Sequence, residues 1–178
     1  MKHTISVALA ALTMIATGAA WADDSDEATP PAACISTDPA VSDSAFWANT
    51  AVSLFEQQQY VEAVNTVNAC FRYWGPDGGM QQKELWDKGR KCPRTGEVSK
   101  KQKRKIEGNG LLNDVSLALW AKARSLHALD ELEPAKQAYA QCIYMACGRA
   151  WDPQGWYWSP AEDCAEQAAE LVEPAAEG

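Results

Sequence analysis

The sequence predicts an all-α fold of two antiparallel helical hairpins and a C-terminal capping helix, stabilised by disulfides. Three observations carry this expectation. Residues 44–76 and 116–148 match each other at an offset of 72, with Ala51, Leu54, Ala63 and Cys70 recurring as Ala123, Leu126, Ala135 and Cys142. Apolar residues in both stretches recur at spacings of three and four, the period of a half-buried helix. Six cysteines, an even count, all follow an N-terminal segment that reads as an export signal.

Residues 1–22 carry Lys2, an uncharged apolar run over 5–20, and Ala20 and Ala22 at the positions a signal peptidase reads. Cleavage is expected after Ala22, placing the mature chain in the periplasm or outside the cell. No later segment is apolar enough to span a membrane, which takes roughly 20 apolar residues. Residues 23–41 form an acidic, Pro-containing leader with little to bury, expected to be flexible until Cys34 pins it. A single helical domain follows over 42–173, and 174–178 is a short tail.

The first hairpin, 42–76, opens at Ser42 or Ser44. Its first helix carries Phe46, Trp47, Ala51, Leu54 and Phe55 on one stripe, and Gln57, Gln58 and Gln59 make the turn. The second helix runs from Tyr60 to Trp74, with Val61, Val64, Val67 and Phe71 at helical spacing, and Gly75-Pro76 is expected to stop it. Residues 77–110 do not fit the repeat. They form an insert with ten of the sixteen basic residues, including Lys100, Lys101, Lys103, Arg104 and Lys105.

Asn109-Gly110 precedes the second hairpin, 111–148, whose first helix carries Leu112, Val115, Leu119, Leu126 and Leu129. Asp130 to Glu133 reads as a D-x-x-E capping box for its second helix, Pro134 fits the first turn, and Gly148 is expected to cap the end near Cys147. An aromatic loop over 149–158 places Trp151, Trp156, Tyr157 and Trp158 within eight residues. Ser159-Pro160-Ala161-Glu162 is a capping box with proline at the first helical position. It opens the capping helix, 159–173, whose Ala165, Ala168, Leu171 and Val172 face the hairpin beneath and whose end Pro174 limits.

In an oxidising compartment Cys34, Cys70, Cys92, Cys142, Cys147 and Cys164 are disulfide candidates, though six cysteines allow 15 pairings. The preferred pairs are Cys147 with Cys164, closing a loop between two helices, and Cys70 with Cys92, tying down the insert. Cys142 with Cys147 is disfavoured if one helix runs through both, because residues five apart then lie roughly 8 Å apart. No C-x-x-C pair occurs and the mature chain holds one histidine, His127, so neither a metal site nor a cofactor is expected.

Trp47, Ala51, Leu54, Ala63, Val67 and Cys70 in one hairpin, and Leu119, Ala123, Leu126, Ala135, Tyr139 and Cys142 in the other, are spaced as in a tetratricopeptide repeat. The chain resembles that family over about 66 residues. The resemblance implies stacked helical hairpins that bind a protein or peptide on the face formed by the first helix of each. Thr50 and Lys122 stand where the family usually carries leucine, and Gly75 and Gly148 where its terminal proline is expected.

The mature chain has 15 basic residues against 24 acidic, so the basic run of the insert is a segregated charge. Either it docks on an anionic surface, such as polysaccharide, phospholipid head groups or an acidic protein face, or it is a solvated helix paired with the acidic leader and final helix. Nucleic acid is disfavoured by export and by the acidic balance. The four rings of the aromatic loop either stack on sugars or grip peptide side chains, or fold back to cover the open end of the hairpins. No G-x-S-x-G elbow, H-E-x-x-H motif or Gly-rich phosphate loop occurs, so no catalytic residue is assigned and His127 is read as a helical residue without a catalytic role. The expected function is an exported, non-enzymatic protein-interaction scaffold of the bacterial envelope. A glycan or anionic-ligand binder using the aromatic loop and basic insert is the alternative, and an enzyme of unknown class the lesser one.

Overall fold

The computed structural model describes residues 29–172. Residues 1–28, which hold the segment read as an export signal and the start of the expected leader, and residues 173–178, with the expected tail and Pro174, lie outside the described residues. Six helices carry the fold: α1 (Asp43–Glu56), α2 (Tyr60–Asp87), α3 (Lys100–Glu107), α4 (Gly110–Ala128), α5 (Leu132–Tyr144) and α6 (Pro160–Glu170). A short 3-10 turn, Ala32–Cys34, precedes them, and two strands, β1 (Ala150–Asp152) and β2 (Trp156–Trp158), stand between α5 and α6.

Local chemistry sets several of these boundaries. The Ser42 hydroxyl accepts the Ala45 N–H at the start of α1, and Ser159 accepts the Glu162 N–H at the start of α6, with Pro160 in the first turn. Gln58 takes a positive φ of 59° in the turn between α1 and α2. Asn109 precedes α4 without a side-chain cap; instead Gln81 of α2 accepts the Leu112 N–H at 3.1 Å, so an end donor of α4 is satisfied from a neighbouring helix.

Four expectations are corrected. Gly75-Pro76 does not end α2, which continues to Asp87 through Pro76. Proline removes one helical hydrogen bond, but the turns beyond it are held from outside. Gly75, Gly78 and Gln82 are buried, a Cβ at Gly78 would lie 2.7 Å from Val115 Cγ2 of α4, and Gln82 accepts the Cys147 N–H at 2.8 Å. About a third of the supposed insert, residues 77–87, is therefore the end of α2. Asp130 does not cap α5: it sits at φ 61° as the left-handed residue closing α4, while Glu131 N–H reaches back to the Leu126 carbonyl. Gly148 is no helix cap either, since α5 ends at Tyr144; it is a point of contact with Ser116. Finally, the aromatic loop is a β-hairpin, which makes the fold mostly rather than wholly helical.

The disulfides are Cys34–Cys70, Cys92–Cys147 and Cys142–Cys164, so neither preferred pairing forms. The unbroken α2 explains this. It carries the chain about 25 Å beyond Cys70 before Cys92 is reached, leaving Cys70 to the 3-10 turn. Once α5 stops, the chain bends towards Gln82 and delivers Cys147 to Cys92. Cys142, in the last turn of α5, faces Cys164 of α6.

Helix α4 lies at the centre, packed against α1, α2, α5 and α6, and α5 packs in turn on α6. Its Leu112, Val115, Ala118, Leu119, Ala121 and Ala123 are fully buried, and the small residues let the neighbouring helices approach closely. Trp47 fills the α1–α2 contact, donating its indole N–H to the Thr66 carbonyl and lying 5.2 Å from the Trp74 ring. His127 shares a hydrogen bond with the buried Tyr139 hydroxyl, and burial pushes that phenol up to about 12.

One core carboxyl is poorly compensated. Burial of Asp114 pushes its pKa up to about 6, offset in part by the hydroxyl of Ser44, which donates to it at 2.7 Å. A carboxyl whose folded pKa is raised contributes stability that is complete below the ordinary 3.8 and is lost as pH rises through about 6. Asp114→Asn is therefore expected to gain up to about 3 kcal/mol over the wild type at neutral pH and nothing at pH 3. Urea denaturation of both proteins at the two pH values checks this; an equal gain at both would contradict it.

Candidate functional site

The aromatic hairpin is built to be rigid. Gly155 supplies the turn at φ 114°, and β1 and β2 pair Ala150 with Trp158, Trp151 with Tyr157, and Asp152 with Trp156. The outer edge of β2 is also paired, through two hydrogen bonds between Tyr157 and Gly96. Beneath it lies Arg149, only 6% exposed. Its guanidinium donates to the carbonyls of Pro93 and Ala146 and to Ser159 Oγ, with no carboxylate in contact. Burial pulls its pKa down, and Glu162 nearby partly restores it. Carbonyl oxygens here replace the water that a cation loses on burial. With Cys92–Cys147, Arg149 fixes the 88–99 segment to the hairpin.

Strand alternation then divides the four rings between two faces. Trp151 and Tyr157 share one, with ring centroids 4.9 Å apart. Trp156 and Trp158 share the other with Asp152. The sequence expectation grouped all of them with the basic insert; the structure sets Trp151 beside a lysine of its charged run and brings Trp156 and Trp158 to its uncharged Thr95 and Gly96.

On the first face, Lys103 Nζ lies 5.7 Å from the centroid of Trp151, itself 53% exposed. Helix α3 is anchored by buried Ile106, whose carbonyl accepts the Asn113 amide at 2.7 Å, and Ser99 caps its start. Lys103 pairs with Glu107 at 3.8 Å, whereas Lys100, Lys101, Arg104 and Lys105 have no ion pair among the described residues. The basic run is thus not neutralised by α6.

On the second face, a row of rings crosses the fold. Trp158 lies 5.3 Å from Trp120 of α4, Trp120 lies 5.1 Å from Phe55 of α1, and Phe55 lies 5.7 Å from Tyr60, the latter two contacts edge-on or tilted. Asp163 of α6 holds Trp120 in place: it accepts the indole N–H at 2.7 Å and pairs with Arg124 at 3.1 Å. The row ends at a cleft of about 550 Å³ lined by Trp156, Trp158, Glu162, Asp163 and Glu166. Trp156 is 36% exposed there, and Glu162 and Glu166, one helical turn apart, have no ion pair among the described residues.

Sequence reasoning singled out Trp156 and Trp158 but missed Phe55, Trp120 and Asp163 as their neighbours. The one local signal was Trp120 itself, the single tryptophan of α4. Among the described residues, no cluster of His, Cys, Asp and Glu is arranged to hold a metal ion, and no helix is long and apolar enough to cross a membrane. No protein-family model, curated protein or solved structure matches this chain.

Proposed function

We propose that the protein is an exported, non-enzymatic scaffold of a bacterial envelope that receives an extended peptide or a partner's helix on the surface formed by α1, α4 and β2. The row Phe55, Trp120 and Trp158, leading to the exposed Trp156, carries this reading. It joins the first-helix face to the aromatic segment, so two surfaces that looked separate in sequence are one. Rigid aromatic rings provide contact area at little entropic cost, which is why they dominate binding hot spots.

The stacking of the hairpins supports a tetratricopeptide-like reading. α4 packs on both helices of the first hairpin as well as on its own partner α5. Of the twelve residues with repeat spacing, all but Leu54 are buried. Three disulfides support export, since such bonds persist in oxidising compartments. Panning a random peptide library against the disulfide-intact protein should enrich peptides whose affinity falls about tenfold or more with Trp156→Ala. Enrichment only of peptides indifferent to that change would refute the proposed surface.

A second reading rests on the first face, where Lys103 of α3 lies over the exposed Trp151 and four further cations of that helix have no ion pair among the described residues. There an anionic glycan or lipid head group would meet Lys100, Lys101, Arg104 and Lys105 beside Trp151, while Trp156 and Trp158 stand on the other face. Replacing the four cations by glutamine should abolish any binding to anionic vesicles, and roughly 0.5 M salt should weaken it strongly. Binding unchanged by both would dismiss this reading.

A further inference from the structure

Between α2 and α5, over α4, a groove runs in two stretches that meet at Gln141. One stretch, about 340 Å³, is lined chiefly by Phe71, Leu119, Tyr144 and Met145 and is apolar. The other, about 260 Å³, holds Lys122 among Asn68, Glu131 and Gln137. Lys122 is partly buried there, while those three are exposed.

Lys122 follows Leu119 by about one helical turn, about 5 Å along α4, so it stands just beyond the end of the apolar trough. It makes no salt bridge among the described residues, Glu131 included. Burial pulls its pKa down. A desolvated ammonium without a counter-ion, at one end of an apolar channel, is complementary to an anion with an apolar tail. Glu131 at the same end opposes a doubly charged head, so a single carboxylate fits better than a phosphate.

We propose that this groove binds a small amphiphilic monocarboxylate, its head on the Lys122 ammonium and its tail along Phe71, Leu119, Tyr144 and Met145. The site is made of residues other than those of the aromatic row, and it stands or falls independently of the partner surface.

Isothermal titration of the disulfide-intact protein with sodium octanoate at neutral pH tests it. Saturable one-site binding is expected, with acetate, octanol and octyl phosphate each weaker by about tenfold or more. Lys122→Met should weaken octanoate about tenfold or more, while Lys122→Arg stays within roughly threefold. Tyr144→Ser, at an exposed position, should weaken octanoate through its tail and leave the fold intact. Absence of saturable octanoate binding, equal binding of octanol or octyl phosphate, or an unaffected Lys122→Met would each overturn the proposal. The comparison of octanoate with octanol uses the unaltered protein, so the outcome does not depend on whether a Lys122 variant folds.

Discussion

Replacing Cys92 and Cys147 together by serine is expected to cost about 4 kcal/mol of stability, the loop-closure entropy for a cross-link spanning 55 residues. For a domain of this size the midpoint of thermal unfolding should fall by roughly 8–16 °C. The bond closes a loop that contains α3, α4 and α5, so its loss frees the unfolded chain more than loss of either shorter link. In the folded state, the 88–99 segment would keep, as its hydrogen bonds to the hairpin and Arg149, the Arg149 bonds to Pro93 and the pairing of Gly96 with Tyr157. Amide exchange should therefore quicken in that segment and in β2 before it does in α4. A loss under about 1 kcal/mol would show that the link follows the fold rather than securing it.

Gly148→Ala is the second large effect, expected at about 2–3 kcal/mol of destabilisation. An added Cβ would lie 2.4 Å from Ser116 Cβ and 2.6 Å from its hydroxyl, with the Met145 carbonyl at 3.2 Å. Ser116 is fully buried on the central helix, so no neighbour can yield cheaply. The reduced freedom of the unfolded chain returns only about 0.4–1 kcal/mol. Ser116→Gly should relieve the clash in the double variant. Its hydroxyl has no hydrogen-bond partner among the described residues, so the main cost is about 1 kcal/mol for a glycine within a helix. The double-mutant cycle should show a coupling above about 1 kcal/mol. Additive effects would mean that the two residues are not in contact as described.

Local signals were legible where one side chain answers one backbone group. Ser42 and Ser159 cap as expected, and the glutamine run turns the chain. Pro76 was misread because its local preference is overridden by contacts with distant residues: Val115 and Cys147 hold the helix beyond it. Asp130 followed by Glu133 suits a cap, but aspartate also tolerates the left-handed conformation that closes α4. The hairpin had a signal in the run Trp156-Tyr157-Trp158 after Gly155, and its two-residue period determines which rings share a face. The Phe55, Trp120 and Trp158 row had no such signal. It exists only because α1, α4 and β2 meet in space, and no spacing within one segment encodes that meeting.

Whether α1, α4 and β2 form one partner surface is tested most directly by the indole N–H resonances of the disulfide-intact protein, followed as a peptide selected by panning is added. The resonances of Trp120, Trp156 and Trp158 should shift together, while Trp47, buried between α1 and α2, stays fixed. Shifts confined to Trp86 or Trp151, with Trp120 and Trp158 unmoved, would contradict the assignment of this surface.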